Sequence, residues 1–181
     1  MSALCCPLRC PFPAVDAEPS LEAQTPHATS VPLALRDGPP MPQTEAVNRV
    51  IEVVGAVILL EGRVLCVQRG PHGSLPGMWE FPGGKIEAGE SPQTALEREI
   101  EEELRCRVSV GDEVNSTAHE YDFGDVHLTT FYCELTEGTP QLVEHSQLVW
   151  SDPRDLRGLD WAPADLPAVA AIEQRFNASD R

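Results

Sequence analysis

Residues Gly84 to Cys106, GKIEAGESPQTALEREIEEELRC, decide how this chain is read. Five residues separate Gly84 from Glu90, and seven separate Glu90 from the run Arg98-Glu99-Ile100-Glu101-Glu102-Glu103. Ser91 has the chemistry of a helix N-cap and Pro92 suits the first helical position, so the spacing predicts a helix over 92–104. Ala95, Leu96, Ile100 and Leu104 would form its inner surface. Glu99, Glu102 and Glu103 stand at i, i+3 and i+4, on one face of that helix. Like charges at this spacing repel, so the triad costs stability unless something positive sits against it. Mg²⁺ or Mn²⁺ is the natural partner, because hard cations take carboxylate oxygens and share them with substrate phosphates. The loop Pro82-Gly83-Gly84-Lys85 just upstream offers backbone amides and one ammonium to a polyphosphate. The competing reading is a solvated acidic helix, the usual fate of a glutamate run. Seven fixed positions beside a Gly-Gly loop argue against it.

The segment resembles the Nudix box, whose pattern runs G-x5-E-x7-R-E-U-x-E-E-x-G-U, with U aliphatic. Gly84, Glu90, Arg98, Glu99, Ile100, Glu102 and Glu103 match it. Arg105 stands where the closing glycine would be, and Cys106 where the last aliphatic residue would be. A glycine there allows a left-handed helix end, which arginine reaches only with strain. The resemblance implies an α/β fold, an α/β/α sandwich with a mixed β-sheet, covering roughly residues 49–178. It also implies hydrolysis of a nucleoside triphosphate to a monophosphate and pyrophosphate. Carried over by position, Glu99, Glu102 and Glu103 are metal ligands, and the Gly83 carbonyl completes the site. Either Glu99 or Glu102 serves as base; clustered carboxylates titrate together, which leaves the choice open. Glu90 and Arg98 have a structural part, pinning loop to helix and orienting Glu99. Arg69 and Lys85 are the candidates to touch phosphates.

The remaining sequence fits one domain with length to spare. Of 181 residues, 29 are acidic and 13 are Lys or Arg, a net charge of -16. Such a balance opposes general binding to nucleic acid or anionic membrane, yet not to a nucleotide held through cations. No apolar run has the length of a membrane span. The stretch 1–15 is a poor signal peptide, lacking a basic start and broken by prolines, which makes the cytoplasm the default compartment. Residues 1–48 hold nine of the 17 prolines. They would form a largely disordered tail, or precede a later translation start. Cys66, Cys106 and Cys133 read as buried reduced thiols, whereas Cys5, Cys6 and Cys10 show no metal-site spacing. Strands are expected at 51–60, 63–69, 79–81, 107–110, 117–121, 126–135 and 147–151. Phe123-Gly124-Asp125 is expected to turn the chain, and a closing helix to span 166–176.

Beyond the box, three segments resemble MutT-type members, and within them the CTP pyrophosphohydrolase-like ones. They are Trp79-Glu80-Phe81-Pro82-Gly83-Gly84, Glu144 six residues before Trp150, and Ala162-Pro163-Ala164-Asp165-Leu166-Pro167. The resemblance implies that Glu144 supplies a further carboxylate, metal-binding or acting as a base. It also implies that Asp165 reads the base edge, where purine-sanitising relatives often carry asparagine. An ionised aspartate only accepts hydrogen bonds, which favours the exocyclic amine of cytosine; a protonated one also donates and readmits an oxidised guanine. Phe81 is a candidate stacking platform for the base, and Asp125 a weaker base contact. His119, His127 and His145 show no ligand spacing.

The leading expectation is a nucleotide-pool-sanitising hydrolase acting on CTP, dCTP or modified cytosine nucleotides, with 8-oxo-dGTP as the alternative. Nucleotide-sugar and ADP-ribose hydrolases often carry a proline after the box, and none occurs here between Pro92 and Pro140. A non-catalytic ligand-sensing module, the rival of a different class, would typically lose box glutamates. Monomer and homodimer both remain open.

Overall fold

The computed structural model describes residues 49–179. The expected proline-rich tail, residues 1–48, lies outside them. Six strands and two helices follow in the order β1 (Val50–Leu60), β2 (Arg63–Gln68), β3 (Trp79–Glu80), α1 (Pro92–Leu104), β4 (Arg107–Tyr121), β5 (Gly124–Glu137), β6 (Gln147–Ser151) and α2 (Leu166–Ser179). They form one mixed sheet ordered β3-β2-β1-β5-β4, with β6 paired to β2. β1 and β5 run parallel over ten paired positions, from Val50 opposite Asp125 to Leu59 opposite Glu134. The other pairings are antiparallel.

Strand alternation sorts the core into two layers. Val54, Ala56 and Ile58 of β1, with Leu65 and Val67 of β2, meet Ala95, Leu96, Ile100 and Leu104 of α1. Val57, Val64 and Cys66 point to the other face, against Ala168, Val169 and Ile172 of α2. Successive side chains of a strand face opposite ways, so one apolar stretch serves both helices. The result is the expected α/β/α sandwich.

The acidic helix forms because its buried side outweighs its repulsive one. Leu96, Ile100 and Leu104 are fully buried. Each contributes about 1.5–3 kcal/mol, against a few tenths for each like-charged pair. Ser91 caps the helix by accepting the Thr94 N–H at 3.1 Å.

The structure corrects two strand boundaries. Segments 107–110 and 117–121 are one strand, because β5 pairs along its whole length. Register shifts between Val110 and Glu113, and between Glu113 and Asn115, absorb the Gly111-Asp112 stretch that reads as a break in the sequence. The following turn is centred on Asp122-Phe123, with Gly124 already paired to Tyr121. α2 also runs past Phe176 to Ser179.

Arg105 ends α1 as a glycine would, at φ 55° and ψ 32°, with its N–H donated to the Glu101 carbonyl. The left-handed conformation costs an L-residue about 1–2 kcal/mol, and glycine's freedom in the unfolded chain returns part of that. Arg105→Gly is therefore expected to raise unfolding stability by about 0.5–1 kcal/mol, measured by urea titration. An unchanged or lowered midpoint would show that the helix end carries no strain.

Candidate active site

The site begins where the glycine loop meets α1. Ala56 and Val54 of β1 donate their N–H groups to the carbonyls of Pro82 (2.8 Å) and Gly84 (2.9 Å). Gly83 has φ 150°, and a Cβ there would lie 2.1 Å from the Val54 carbonyl oxygen. A Cβ on Gly84 would lie 2.4 Å from the Glu99 carboxyl carbon. Both glycines are therefore required by contact: one lets the loop lie on β1, the other makes room for Glu99.

Arg98 joins the two elements. It donates from Nε to Glu90 Oε1 at 2.9 Å and from a terminal nitrogen to Glu90 Oε2 at 3.0 Å. It also reaches the Lys85 carbonyl at 3.1 Å and Glu99 Oε1 at 2.9 Å. The paired hydrogen bonds to Arg98 hold the Glu90 carboxyl below its usual range.

Glu99 is half-buried beside the loop, Glu102 projects towards solvent, and Glu103 reaches back so that Oε2 accepts the Gly83 N–H at 3.3 Å. The Glu103 carboxyl is pushed up to about 7. Burial is the main cause; His145 opposes it, and the carboxylates of Glu80, Glu99 and Glu144 add to it. Among the described residues, no three acidic, histidine or cysteine side chains already stand in ligating geometry. The donor set nonetheless suits a hard divalent cation. Glu99 of the helix, Glu80 of β3 and Glu144 of the loop before β6 each add to the upward shift of Glu103, and a cation would relieve that repulsion.

Gly83, Gly84 and Glu103 line a cleft of about 410 Å³, whose wall also includes Arg69, Lys85, Glu144, Tyr121 and Asp165. Arg69 donates from Nε to the Ser74 carbonyl at 2.8 Å and pairs with Glu80. Lys85 is exposed at the edge.

Asp165 lines the same cleft, 5% exposed, with Oδ1 accepting the Phe81 N–H at 3.1 Å. Burial pushes its carboxyl up to about 8, aided by Glu80 and opposed by the Phe81 hydrogen bond and Arg69. Of the two forms weighed for Asp165, burial favours the protonated one. Phe81 lines the cleft, but it is 4% exposed and packs tilted on Trp161 at 4.6 Å between centroids. Asp125 is outside the cleft wall: it is the second residue of β5, opposite Val50 and Glu120, while its neighbour Val126 lines the cleft.

Three cleft residues escape the sequence reading. Tyr121 accepts the Ala164 N–H on its hydroxyl at 3.0 Å, fastening the β4–β5 hairpin beside Asp165. Glu80 and His145 form a pair at 3.2 Å. A carboxylate between two aromatic residues ahead of the glycine loop was the available signal for Glu80. Tyr121 and His145 are brought in by strand pairing and loop path, which local sequence does not carry.

The NUDIX domain family matches residues 53–171 of the chain. The CTP pyrophosphohydrolase of Escherichia coli is 40% identical over 124 residues, covering 68% of this chain and 92% of that protein. A putative 8-oxo-dGTP diphosphatase 2 of Mycobacterium tuberculosis is 36% identical over 130 residues, covering 70% and 91%. The solution structure of a MutT protein from methicillin-resistant Staphylococcus aureus superposes with a TM-score of 0.61 at 51% identity, covering 71% of this chain and 98% of that one. The chain belongs to the Nudix hydrolase family. Within that family it is of the MutT type, similar to enzymes that act on nucleoside triphosphates.

Gly84→Ala should drive the Glu99 carboxyl out of place while leaving the fold in place. A displacement of about 1 Å can cost roughly 10²-fold in turnover, which is the loss expected in steady-state assays at unchanged circular dichroism. Full activity would mean that the position of Glu99 does not matter.

Proposed function

We propose that this protein is a Mg²⁺-dependent pyrophosphohydrolase of cytosine nucleoside triphosphates, converting CTP or dCTP to the monophosphate and pyrophosphate. One observation carries the reading of a nucleoside triphosphate: a single cleft is lined both by the glycine loop with Glu103 and Glu144 and by a buried Asp165 whose carboxyl is pushed up to about 8. Likeness to a CTP pyrophosphohydrolase over 92% of its length favours cytosine as the base.

Glu99, Glu102 and Glu103, with Glu144 and the Gly83 carbonyl, would hold the cation, and Mn²⁺ could substitute for Mg²⁺. When bound, the cation neutralises phosphate charge and lowers the pKa of a water. Arg98 keeps Glu99 against the loop. Glu99 or Glu102 takes the proton of the attacking water. Arg69 uses two nitrogens on Ser74 and Glu80, which leaves further donors for phosphate oxygens. Lys85 adds a flexible ammonium at the rim.

Neutral Asp165 presents a donor beside an acceptor, and cytosine presents the matching pair, N3 and the N4 amine. The O6 and N7–H edge of 8-oxoguanine matches equally, which makes 8-oxo-dGTP the second reading. Likeness to a putative 8-oxo-dGTP diphosphatase favours including it.

Pyrophosphate release across CTP, dCTP, 5-substituted dCTP, 8-oxo-dGTP and the ordinary triphosphates tests the proposal. Preference for a cytosine nucleotide is expected; release from none of them would favour a ligand-sensing domain. Glu102→Gln should lower turnover roughly 10²-fold or more in a folded protein. Equal activity would remove Glu102 from the site.

The acid form of Asp165 predominates below about pH 8 and is lost as pH rises through it. The wild-type KM for CTP should therefore climb above pH 8, whereas Asp165→Asn, always neutral, should stay flat there. The same shift costs stability. Between the unfolded value of 3.8 and about 8, the folded chain keeps a proton that the unfolded chain has released. Stability then falls as pH rises, by at most about 1.4 kcal/mol per pH unit from this group. That slope should be shallower in Asp165→Asn; parallel denaturation profiles would show Asp165 ionised in the fold.

A further inference from the structure

Glu80 and His145 have no part in the chemistry proposed above, although both line the cleft. We infer that Glu80 is a positioning residue that ties the phosphate-binding arginine to the loop carrying Glu144. The inference rests on the reading of Arg69 and Glu144 given under Proposed function.

The two oxygens of Glu80 are divided between two partners. Oε2 pairs with the Arg69 guanidinium. Oε1 lies 3.2 Å from His145 Nε2. An ionised carboxylate only accepts, so Nε2 carries the hydrogen. The His145 side chain is 7% exposed, and its Nδ1 is buried with no partner. Glu80 is therefore the ring's one polar tether among the described residues.

Ser146 fixes the backbone beyond it, donating its N–H to the Gln68 carbonyl at 2.8 Å and its hydroxyl to the Gln68 and Arg69 carbonyls at 3.1 and 3.2 Å. Glu144 itself is exposed, and among the described residues no hydrogen bond holds its side chain. Its position over the cleft depends on the two residues that follow it. Glu80 thus links three segments: the loop after β2, which Arg69 grips at Ser74; β3; and the loop before β6.

Burying a charged cluster is a poor way to gain stability, since an apolar set of the same volume would usually do as well. A cluster placed between a phosphate contact and a metal-site carboxylate instead fixes their separation. Glutamine at position 80 offers one acceptor and one donor to two donors, so one arm must break.

The test compares wild type, Glu80→Gln, His145→Ala, His145→Gln and the double variant Glu80→Gln/His145→Ala. KM and kcat are measured for the preferred triphosphate, and Mn²⁺ affinity by calorimetry without nucleotide. Glu80→Gln should raise KM and weaken Mn²⁺ binding, each about 10-fold, the order expected for one charge-assisted hydrogen bond. His145→Ala should weaken Mn²⁺ binding similarly. His145→Gln, whose amide can replace the Nε2–H donor, should restore most of it. In the double variant, the Mn²⁺ loss should match the larger single loss rather than their product, because both changes cut one link. Unchanged Mn²⁺ affinity in Glu80→Gln, multiplying losses, or no rescue by His145→Gln would each overturn the inference. If the wild type hydrolysed no nucleotide in the panel, the proposed function would fail, while the Mn²⁺ titrations would still decide the role of Glu80.

Discussion

The guanidinium of Arg98 is the point on which the catalytic end of the molecule depends. It makes two hydrogen bonds to Glu90, one to Glu99 and one to the Lys85 carbonyl. Glu90 is held in turn by the Glu87 N–H at 3.1 Å. A loop without regular structure is thereby clamped to a helix whose far side is locked in the core. Arg98 suits this work because its planar fork matches a carboxylate at two points and stays charged. Exposed ion pairs usually contribute little to stability. The contribution of this one lies in geometry: it fixes which way Glu99 faces.

Two carboxyl groups in the same cleft have raised pKa values, and burial is the main cause of both. At Glu103 the carboxylates of Glu80, Glu99 and Glu144 add to it and His145 opposes it. At Asp165 Glu80 adds to it, while the Phe81 hydrogen bond and Arg69 oppose it. A cation held beside Glu103 would favour its ionised form. Under the function proposed above, the cleft would offer carboxylates to the metal that holds a phosphate tail and a neutral acid to a base, although both begin as the same functional group.

The box region was the most legible part of the chain, because its spacing coincides with helix periodicity. α1 spans Pro92–Leu104 as its cap and proline imply, and the four expected apolar residues are the ones buried. The layered fold was also readable, since β1 is apolar on both faces and must be covered twice. β4 was not, because its bulged centre is polar and exposed, and only pairing with β5 keeps it extended. The charge state of Asp165 was hidden for a related reason. Its neighbours in sequence are ordinary, and the groups that act on it, the Phe81 N–H, Glu80 and Arg69, are distant along the chain.

The parallel ladder between β1 and β5 joins positions about 75 residues apart, and the whole glycine loop and acidic helix lie inside the segment it closes. Non-local pairing of this kind is slow to form, because the entropy of closing a long segment comes before any contact rewards it. The helix, whose hydrogen bonds are local, can form earlier. Its carboxylates meet Glu80 and Glu144 only where β3 and the loop before β6 are in place. A cation that binds only the finished cleft therefore stabilises the folded chain as well as the substrate complex.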